Sequence, residues 1–287
     1  MDRIIKALAF DKSIRIYVAD STETVQEIKK RQQCTREVTA ALGRLATATA
    51  MIGAMESFQA KTYIKIAGGG PVGLLYADSD AFGHVRAYAT NPLVQLPATT
   101  KGKLNVGGVV GKQGFMTVIR DLGLKDNFST QVPLVSGELG EDFAQFFAVS
   151  EQIPSAVGLG VLTDDETVKV AGGFIAQVLP DCSDETISAL EANINKIPAL
   201  LPFLQEHSVE ELLNVLSNET AEILETMPLS FSCACSKKGF ITALSALPKH
   251  ELANMLETPN DEEIICQYCG QRYLINNKEI EEILTKL

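Results

Sequence analysis

Four of the six cysteines stand in two close pairs near the C-terminus. Cys233 and Cys235 are separated by one residue, Cys266 and Cys269 by two, and thirty residues lie between the pairs. Two such pairs brought together supply four thiolates, the ligand set of tetrahedral Zn²⁺ at ~2.3 Å from each sulfur. Gly270 permits the positive backbone angle of a tight ligand turn. The pattern predicts one zinc ion bound by all four cysteines, with two metal-free dithiols as the alternative.

The same sulfurs are candidates for redox chemistry. Peroxide oxidises thiolates, and each pair is close enough in sequence to close on itself as a disulfide, which would remove metal ligands. On an extended strand the Cα atoms of Cys233 and Cys235 would lie ~6.6 Å apart, the upper edge of disulfide geometry. A bridge there would be strained and easily reduced. The residues alone leave two possibilities open, a redox switch and an inert structural zinc site.

The cysteines lie in a small C-terminal segment, which we delimit as residues 231–287. Pro248 is expected to open one helix, and Asn276, with Glu279 three residues later, to cap a terminal one. A unit of fewer than about 70 residues usually needs a metal or disulfide to be stable. We therefore predict a small zinc-binding domain.

Residues 1–178 carry the pattern of a large α+β domain. A hairpin is predicted from Ile4 to Val18, and one or two long helices over 22–57, which lacks proline. Strands then follow one another without a helix between each pair, which favours α+β over a doubly wound sheet. The predicted strands are Tyr63–Ile66, Gly73–Ala77, Val85–Tyr88, Phe115–Arg120, Phe143–Ser150, Ala156–Leu162 and Val168–Leu179.

Residues 179–230 are predicted to be an acidic helical linker. They contain ten acidic side chains and one basic side chain, Lys196, whereas the acidic and basic residues of 1–178 balance. The pattern is helical from Ser183 to Met227, with a capping box at Ser208 and Glu211. The short helices cannot form a sizeable core alone. Two interpretations remain open, a marginally stable linker held by docking and an ordinary helical layer with a solvated face.

Composition narrows the class of protein. The chain has 46% hydrophobic and 21% charged residues and a net charge of −11, values typical of a soluble globular protein. We find neither a signal peptide nor an apolar run long enough for a membrane span. We therefore expect a cytoplasmic protein, in a compartment that keeps thiols reduced. The acidic excess disfavours binding to nucleic acid.

No set of residues has the pattern of a catalytic centre, and we predict that the chain is not an enzyme. The glycine-rich run Gly68–Gly73 lacks the lysine and hydroxyl ending of a phosphate-binding loop and is read as a tight turn. Cys34 is interpreted as a partly buried helix thiol, and Cys182 has no assigned role. The three histidines are scattered along the sequence: His84, His207 and His250.

Over its full length the chain resembles the redox-regulated holdase chaperones of the thirty-three-kilodalton heat-shock protein family. The specific signal is the Cys-x-Cys and Cys-x-x-Cys pairs at this separation and position in the chain. The segments Gly68–Gly73 and Ser150–Ser155 support it. All four ligand positions match the pattern.

This resemblance implies an ATP-independent chaperone that is inactive while reduced and zinc-bound. Oxidation would join Cys233 to Cys235 and Cys266 to Cys269, with zinc release, unfolding of the linker and dimerisation to hold unfolding client proteins. Two other hypotheses remain. One is a zinc-ribbon protein that binds nucleic acid or a partner, and the other is a thiol oxidoreductase using Cys266 and Cys269.

Overall fold

A computed structural model describes residues 1–57, 59–100, 102–257 and 262–286. The chain divides into two units, Met1–Ser232 and Cys233–Leu287. Both mix helices with antiparallel strands, which confirms the predicted α+β class. No helix within the described ranges has the length and apolar character needed to cross a membrane.

The first unit contains eleven strands and seven helices among its described residues. Its strands are β1 Arg3–Ala9, β2 Ile14–Asp20, β3 Lys61–Ala67, β4 Leu74–Asp80, β5 His84–Ala89, β6 Phe115–Asp121, β7 Phe128–Pro133, β8 Ser155–Thr163, β9 Val168–Val178, β10 Glu222–Pro228 and β11 Ser230–Phe231. Its helices are α1 Thr22–Gln32, α2 Arg36–Gly53, α3 Val106–Val110, α4 Gly140–Phe146, α5 Asp184–Asn195, α6 Leu200–Glu206 and α7 Val209–Ser217.

Two sheets and one buried helix form the core of this unit. One sheet has the order β10-β1-β2-β9-β8, and the other has the order β11-β5-β4-β3-β6-β7. Helix α2 packs against strands of both sheets, and all of its residues except Arg36 and Arg44 are buried. Alanine and glycine allow this close packing, while Thr47 and Thr49 donate their hydroxyls to the carbonyls four residues earlier, at 2.7 Å.

Local sequence patterns anticipated much of this unit. Strands β1 and β2 pair as the expected hairpin, with Ile5 opposite Val18. The predicted long helices are α1 and α2. In the glycine-rich run, the Gly70 amide donates to the Val110 carbonyl at 3.0 Å. A Cβ atom on Gly68 would lie 2.3 Å from that oxygen. These glycines therefore allow two backbone segments to pack directly against each other.

Two predictions of secondary structure were wrong. Phe143–Ser150 was expected to be a strand but forms the end of α4 and a π-helical turn at Phe147–Glu151. The buried Asp142 carboxylate organises the start of α4, because it accepts hydrogen bonds from the amides of Val135, Ser136 and Leu139 at 2.7–3.1 Å. A run of aromatic and aliphatic residues does not reveal this anchoring.

The second error concerns the end of the acidic segment. The helical pattern was expected to reach Met227, but α7 ends at Ser217 and Glu222–Pro228 is strand β10. Asn218 and Glu219 both have positive φ, 53° and 62°, which terminates the helix. The backbone that follows then pairs antiparallel with β1. This pairing is a long-range interaction, and local helical periodicity cannot detect it.

Helices α5–α7 cover the five-stranded sheet. Their buried leucines pack against Ile5, Ile14, Ile16 and Val18 of β1 and β2, and they are Leu190, Leu204, Leu212, Leu213 and Leu216. The predicted capping box is confirmed, since the Glu211 amide donates to Ser208 Oγ at 3.2 Å and the Ser208 amide donates to Glu211 at 2.7 Å.

Ion pairs also join the acidic segment to the first hairpin. Arg3 forms a fork with the Glu210 carboxylate through bonds of 2.8 and 2.7 Å. Lys6 lies 2.9 Å from Glu225. The basic residues of β1 therefore offset part of the negative charge that the composition places in 179–230. The hydrogen bond from Arg3 also lowers the pKa of Glu210.

We predict that Glu210→Gln weakens the docking of α7 in a pH-dependent way. A carboxylate whose pKa is lowered in the folded state contributes stability above its unfolded pKa, about 4.3. That contribution is lost as the pH falls through the lower folded pKa. Because the pair is partly exposed, we expect a loss of about 0.5–1 kcal/mol at neutral pH and a smaller loss at about pH 3.

Urea unfolding followed by circular dichroism at the two pH values measures this difference. Glu206→Gln, a substitution of an exposed acid on α6, is the matched control and should change the free energy of unfolding little at either pH. An effect of Glu210→Gln that is equal at both pH values would contradict the assignment.

Candidate metal centre

The second unit is small and brings the cysteine pairs onto two structural elements. Its elements are α8 Lys237–Leu244, α9 Lys249–Met255, β12 Glu262–Ile265, β13 Arg272–Ile275 and α10 Asn277–Lys286. Leu252, Ile275, Ile280 and Ile283 are its buried hydrophobic core. Pro248 immediately precedes α9, as predicted. The Asn276 cap is confirmed by the Glu279 amide, which donates to Asn276 Oδ1 at 3.1 Å.

Each cysteine pair is held by local backbone structure. Cys233 and Cys235 lie in the segment without regular secondary structure before α8, whose first turn is capped by Ser236. Cys266 and Cys269 lie in the turn that joins the paired strands β12 and β13. In this turn the Gly270 amide donates to the Cys266 carbonyl at 2.9 Å. Gly270 has φ +72°, the positive angle expected from the sequence.

The four sulfurs converge. The Sγ atoms of Cys233, Cys235, Cys266 and Cys269 all lie within 4.8 Å of one another. Cys233 Sγ is 3.7 Å from Cys266 Sγ, and Cys235 Sγ is 3.4 Å from Cys269 Sγ. Sulfurs at ~2.3 Å from a tetrahedral zinc ion would be about 3.8 Å apart. The cluster can therefore hold a metal ion, and both its donor type and its size fit zinc.

Burial and mutual crowding make two of these thiols, Cys266 and Cys269, hard to ionise without a cation. Burial raises the pKa of Cys266. It raises the pKa of Cys269 to about 12, with a further contribution from the neighbouring cysteines. A second thiolate within a few ångströms of the first is disfavoured by charge repulsion. A divalent cation bound among the sulfurs would instead favour the thiolate form of each cysteine. The arrangement is therefore suited to four thiolates only when a cation is bound.

Tyr273 supports the cluster and was not singled out from the sequence. Its hydroxyl donates to the Cys235 carbonyl at 3.0 Å and lies 3.2 Å from Cys235 Sγ. Its ring packs against Phe240 of α8, with centroids 5.2 Å apart. Tyr273 thus links β13 to the segment that carries the first cysteine pair. An aromatic residue four positions after Cys269 was the available signal, but only the fold shows which sulfur it contacts.

The other candidate residues lie elsewhere. Among the described residues, these four cysteines are the one convergent group of three or more potential His, Cys, Asp or Glu ligands, and His250 is not part of it. Cys34 and Cys182 belong to the first unit. Cys34 is buried, which raises the pKa of its thiol to about 12. The expectation of a helix residue was wrong, since Cys34 lies in the connection between α1 and α2, but its burial agrees with a thiol of low reactivity.

Comparison with known proteins assigns the chain to a family. The sequence profile described as Hsp33 protein matches residues 2–276. This chain belongs to the Hsp33 family. It is similar to the 33 kDa chaperonin of Bacillus velezensis, with 43% identity over 99% of this chain and 98% of the relative. It is also similar to the 33 kDa chaperonin of Staphylococcus aureus, with 45% identity over 100% of this chain and 99% of the relative.

A solved structure shows the same fold. The Hsp33 homologue from Thermotoga maritima, a 33 kDa chaperonin, superposes with a TM-score of 0.91 at 36% identity, covering 99% of this chain and 98% of that one. The resemblance inferred from the cysteine pattern is thereby confirmed, and the chain is a member of a chaperone family. The relatives are named as chaperonins, which agrees with the expectation of a non-enzyme.

We predict that Cys266→Ser weakens zinc binding by orders of magnitude, because it removes the most buried of the four ligands. Since metal binding and folding are coupled in so small a unit, residues 233–287 should also lose ordered structure. Competition with a chromogenic chelator measures the affinity. Cys182→Ser is the control and should leave it unchanged; unaltered zinc content in Cys266→Ser would refute the ligand assignment.

Proposed function

We propose that this Hsp33 family member is an ATP-independent holdase, kept inactive by one zinc ion on Cys233, Cys235, Cys266 and Cys269 and activated by oxidation. The observation that carries the proposal is the convergence of four sulfurs within 4.8 Å in a unit with a very small core. When bound, zinc would neutralise the thiolates and cross-link the segment before α8 to the β12–β13 turn. The unit would then be stable only while the cysteines remain reduced.

Oxidation would convert the ligands into disulfides. In each pair, two thiols and one molecule of hydrogen peroxide give one disulfide and two molecules of water, the two electrons passing from sulfur to the peroxide bond. We propose the pairs Cys233–Cys235 and Cys266–Cys269, in keeping with their closeness in sequence. Disulfide sulfurs are poor ligands for zinc, so the chain would no longer retain the ion, and the second unit would lose its cross-link.

The acidic segment covers an apolar surface of the five-stranded sheet, which loss of the zinc cross-link would expose. Helices α5–α7 shield the side chains of Ile5, Ile14, Ile16 and Val18 on the five-stranded sheet. We propose that residues 1–178 are the chaperone core, 179–230 the releasable linker and 231–287 the redox-sensitive zinc domain. Undocking of the linker would expose an apolar sheet face for unfolding clients in the cytoplasm, and the active form would be a homodimer.

The proposal predicts that peroxide at elevated temperature turns an inactive protein into one that suppresses the aggregation of an unfolding client. Zinc-loaded reduced protein and oxidised protein are compared by light scattering, without ATP. Thiol reductant should return the oxidised protein towards the inactive state.

The double variant Cys34→Ser, Cys182→Ser retains the four-sulfur cluster and serves as the control, which should respond to peroxide as the unaltered chain does. If oxidised and reduced protein suppressed aggregation equally, the proposal of a redox switch would be wrong. Zinc would then be a purely structural component.

A further inference from the structure

The chain crosses from one sheet to the other at Glu222–Ser232, a segment that we call the strap. Its first part is β10, which pairs antiparallel with β1 at the edge of the five-stranded sheet. Its second part is β11, which pairs parallel with β5 at the edge of the six-stranded sheet. The amides of Leu229, Ser230 and Ser232 donate to the carbonyls of Asp2, Gly83 and Val85 at 3.0–3.1 Å. The strap therefore occupies an edge of each sheet.

Only alternate side chains near the end of the strap enter the core. Met227 and Leu229 are 5% and 4% exposed and belong to the main hydrophobic cluster. Phe231 packs against the same cluster beneath the Arg31 guanidinium, 5.5 Å from its ring centroid. By contrast, Ile223 and Leu224 are 53% and 55% exposed. The strap is thus held mainly by backbone hydrogen bonds and three side chains at two-residue spacing, the recognition pattern of an added β-strand.

Ion pairs also join the strap to the first hairpin. Along the same edge, Lys6 contacts Glu225 at 2.9 Å and Lys12 contacts Glu222 at 3.7 Å. The edge of the first hairpin is basic. The segment that lies on it places two acidic residues, Glu222 and Glu225, before the inward-facing apolar residues at every second position from Met227. The residues of the strap therefore indicate which kind of extended segment would bind at this edge.

We propose that the edges of β1 and β5 form a binding site for extended client segments, which the strap occupies in the reduced protein. Preferred segments would carry apolar residues at every second position with acidic residues flanking them. The inference rests on the proposed function for its trigger, since the strap ends at Ser232 and the first zinc ligand is the next residue. Once the strap leaves, unpaired amides and carbonyls on both edges are available to another extended chain.

A peptide of residues 221–232, with a fluorescent label and a photoreactive benzoylphenylalanine in place of Phe231, tests the site. We expect the oxidised full-length protein to bind it at least about tenfold more tightly than the reduced protein. Mass spectrometry should place its crosslinks in β1, β5 or the Gly83 turn. A control peptide in which the apolar residues are shifted by one position should bind weakly, because a one-residue shift turns them to the opposite face.

Two pairs of substitutions in the reduced, zinc-bound chain test the site without the redox trigger. Met227→Asp with Leu229→Asp should release the strap and allow the peptide to bind. Ile223→Asp with Leu224→Asp adds the same charge to the strap at exposed positions and should not allow the peptide to bind. Gly83→Ala is a second way to release it, because a Cβ there would lie 1.9 Å from the Pro228 carbonyl oxygen and Gly83 has φ +81°.

The outcomes separate this inference from the proposed function. If oxidised protein suppresses aggregation but the peptide does not bind, or its crosslinks lie outside the two edges, the edge site is wrong and the holdase proposal stands. If oxidation produces no chaperone activity while the released variants bind the peptide at the edges, the site stands and the redox proposal fails. Equal binding by the two charged variants would also overturn the site.

Discussion

Four sulfur atoms confined within 4.8 Å impose the constraint on which the second unit depends. Two of these thiols, Cys266 and Cys269, resist ionisation because burial and the neighbouring sulfurs raise their pKa. A bound divalent cation removes this conflict and links two segments that the chain separates by thirty residues. The core of the unit is too small to replace that link, so its folding and its metal content are expected to change together.

The stability of the first unit comes from a buried core and from a peripheral layer packed on it. Its central helix is buried between two sheets and supplies a stable core, whereas α5–α7 and the strap lie at the periphery of that core. Partly exposed ion pairs such as Arg3–Glu210 contribute little stability individually. Apolar packing against the five-stranded sheet does more. The layer that covers the sheet is therefore ordered, and in our proposal it is released when the second unit loses its zinc.

The chain joins the edge segment of the first unit directly to the cysteine cluster of the second. The strap pairs with both sheets and ends at Ser232, directly before Cys233. In our proposal, a chemical event at the sulfurs acts on a segment whose departure leaves two sheet edges without partners. Edge strands are ordinarily a hazard because they pair with other chains. In a chaperone, the same property becomes a means of holding an unfolding protein.

Sequence reasoning succeeded where the controlling interactions are local or where residue chemistry is restrictive. The hairpin of β1 and β2, the capping boxes at Ser208 and Asn276, and the turn at Gly270 depend on residues a few positions apart. It failed at Phe143–Ser150 and at β10. There the backbone conformation depends on the buried Asp142 carboxylate and on pairing with β1, which no neighbouring residue reveals.

The sequence by itself therefore determined the α+β class, the acidic character of 179–230 and the identity of the four candidate ligands, because cysteine pairs at this spacing have few other uses. Only the tertiary structure decided which sulfurs face each other, that Tyr273 contacts Cys235, and that Gly83 leaves room for the strap. These contacts join residues distant in the chain. Their geometry follows from how the sheets and turns pack, and this packing is not encoded in any local pattern.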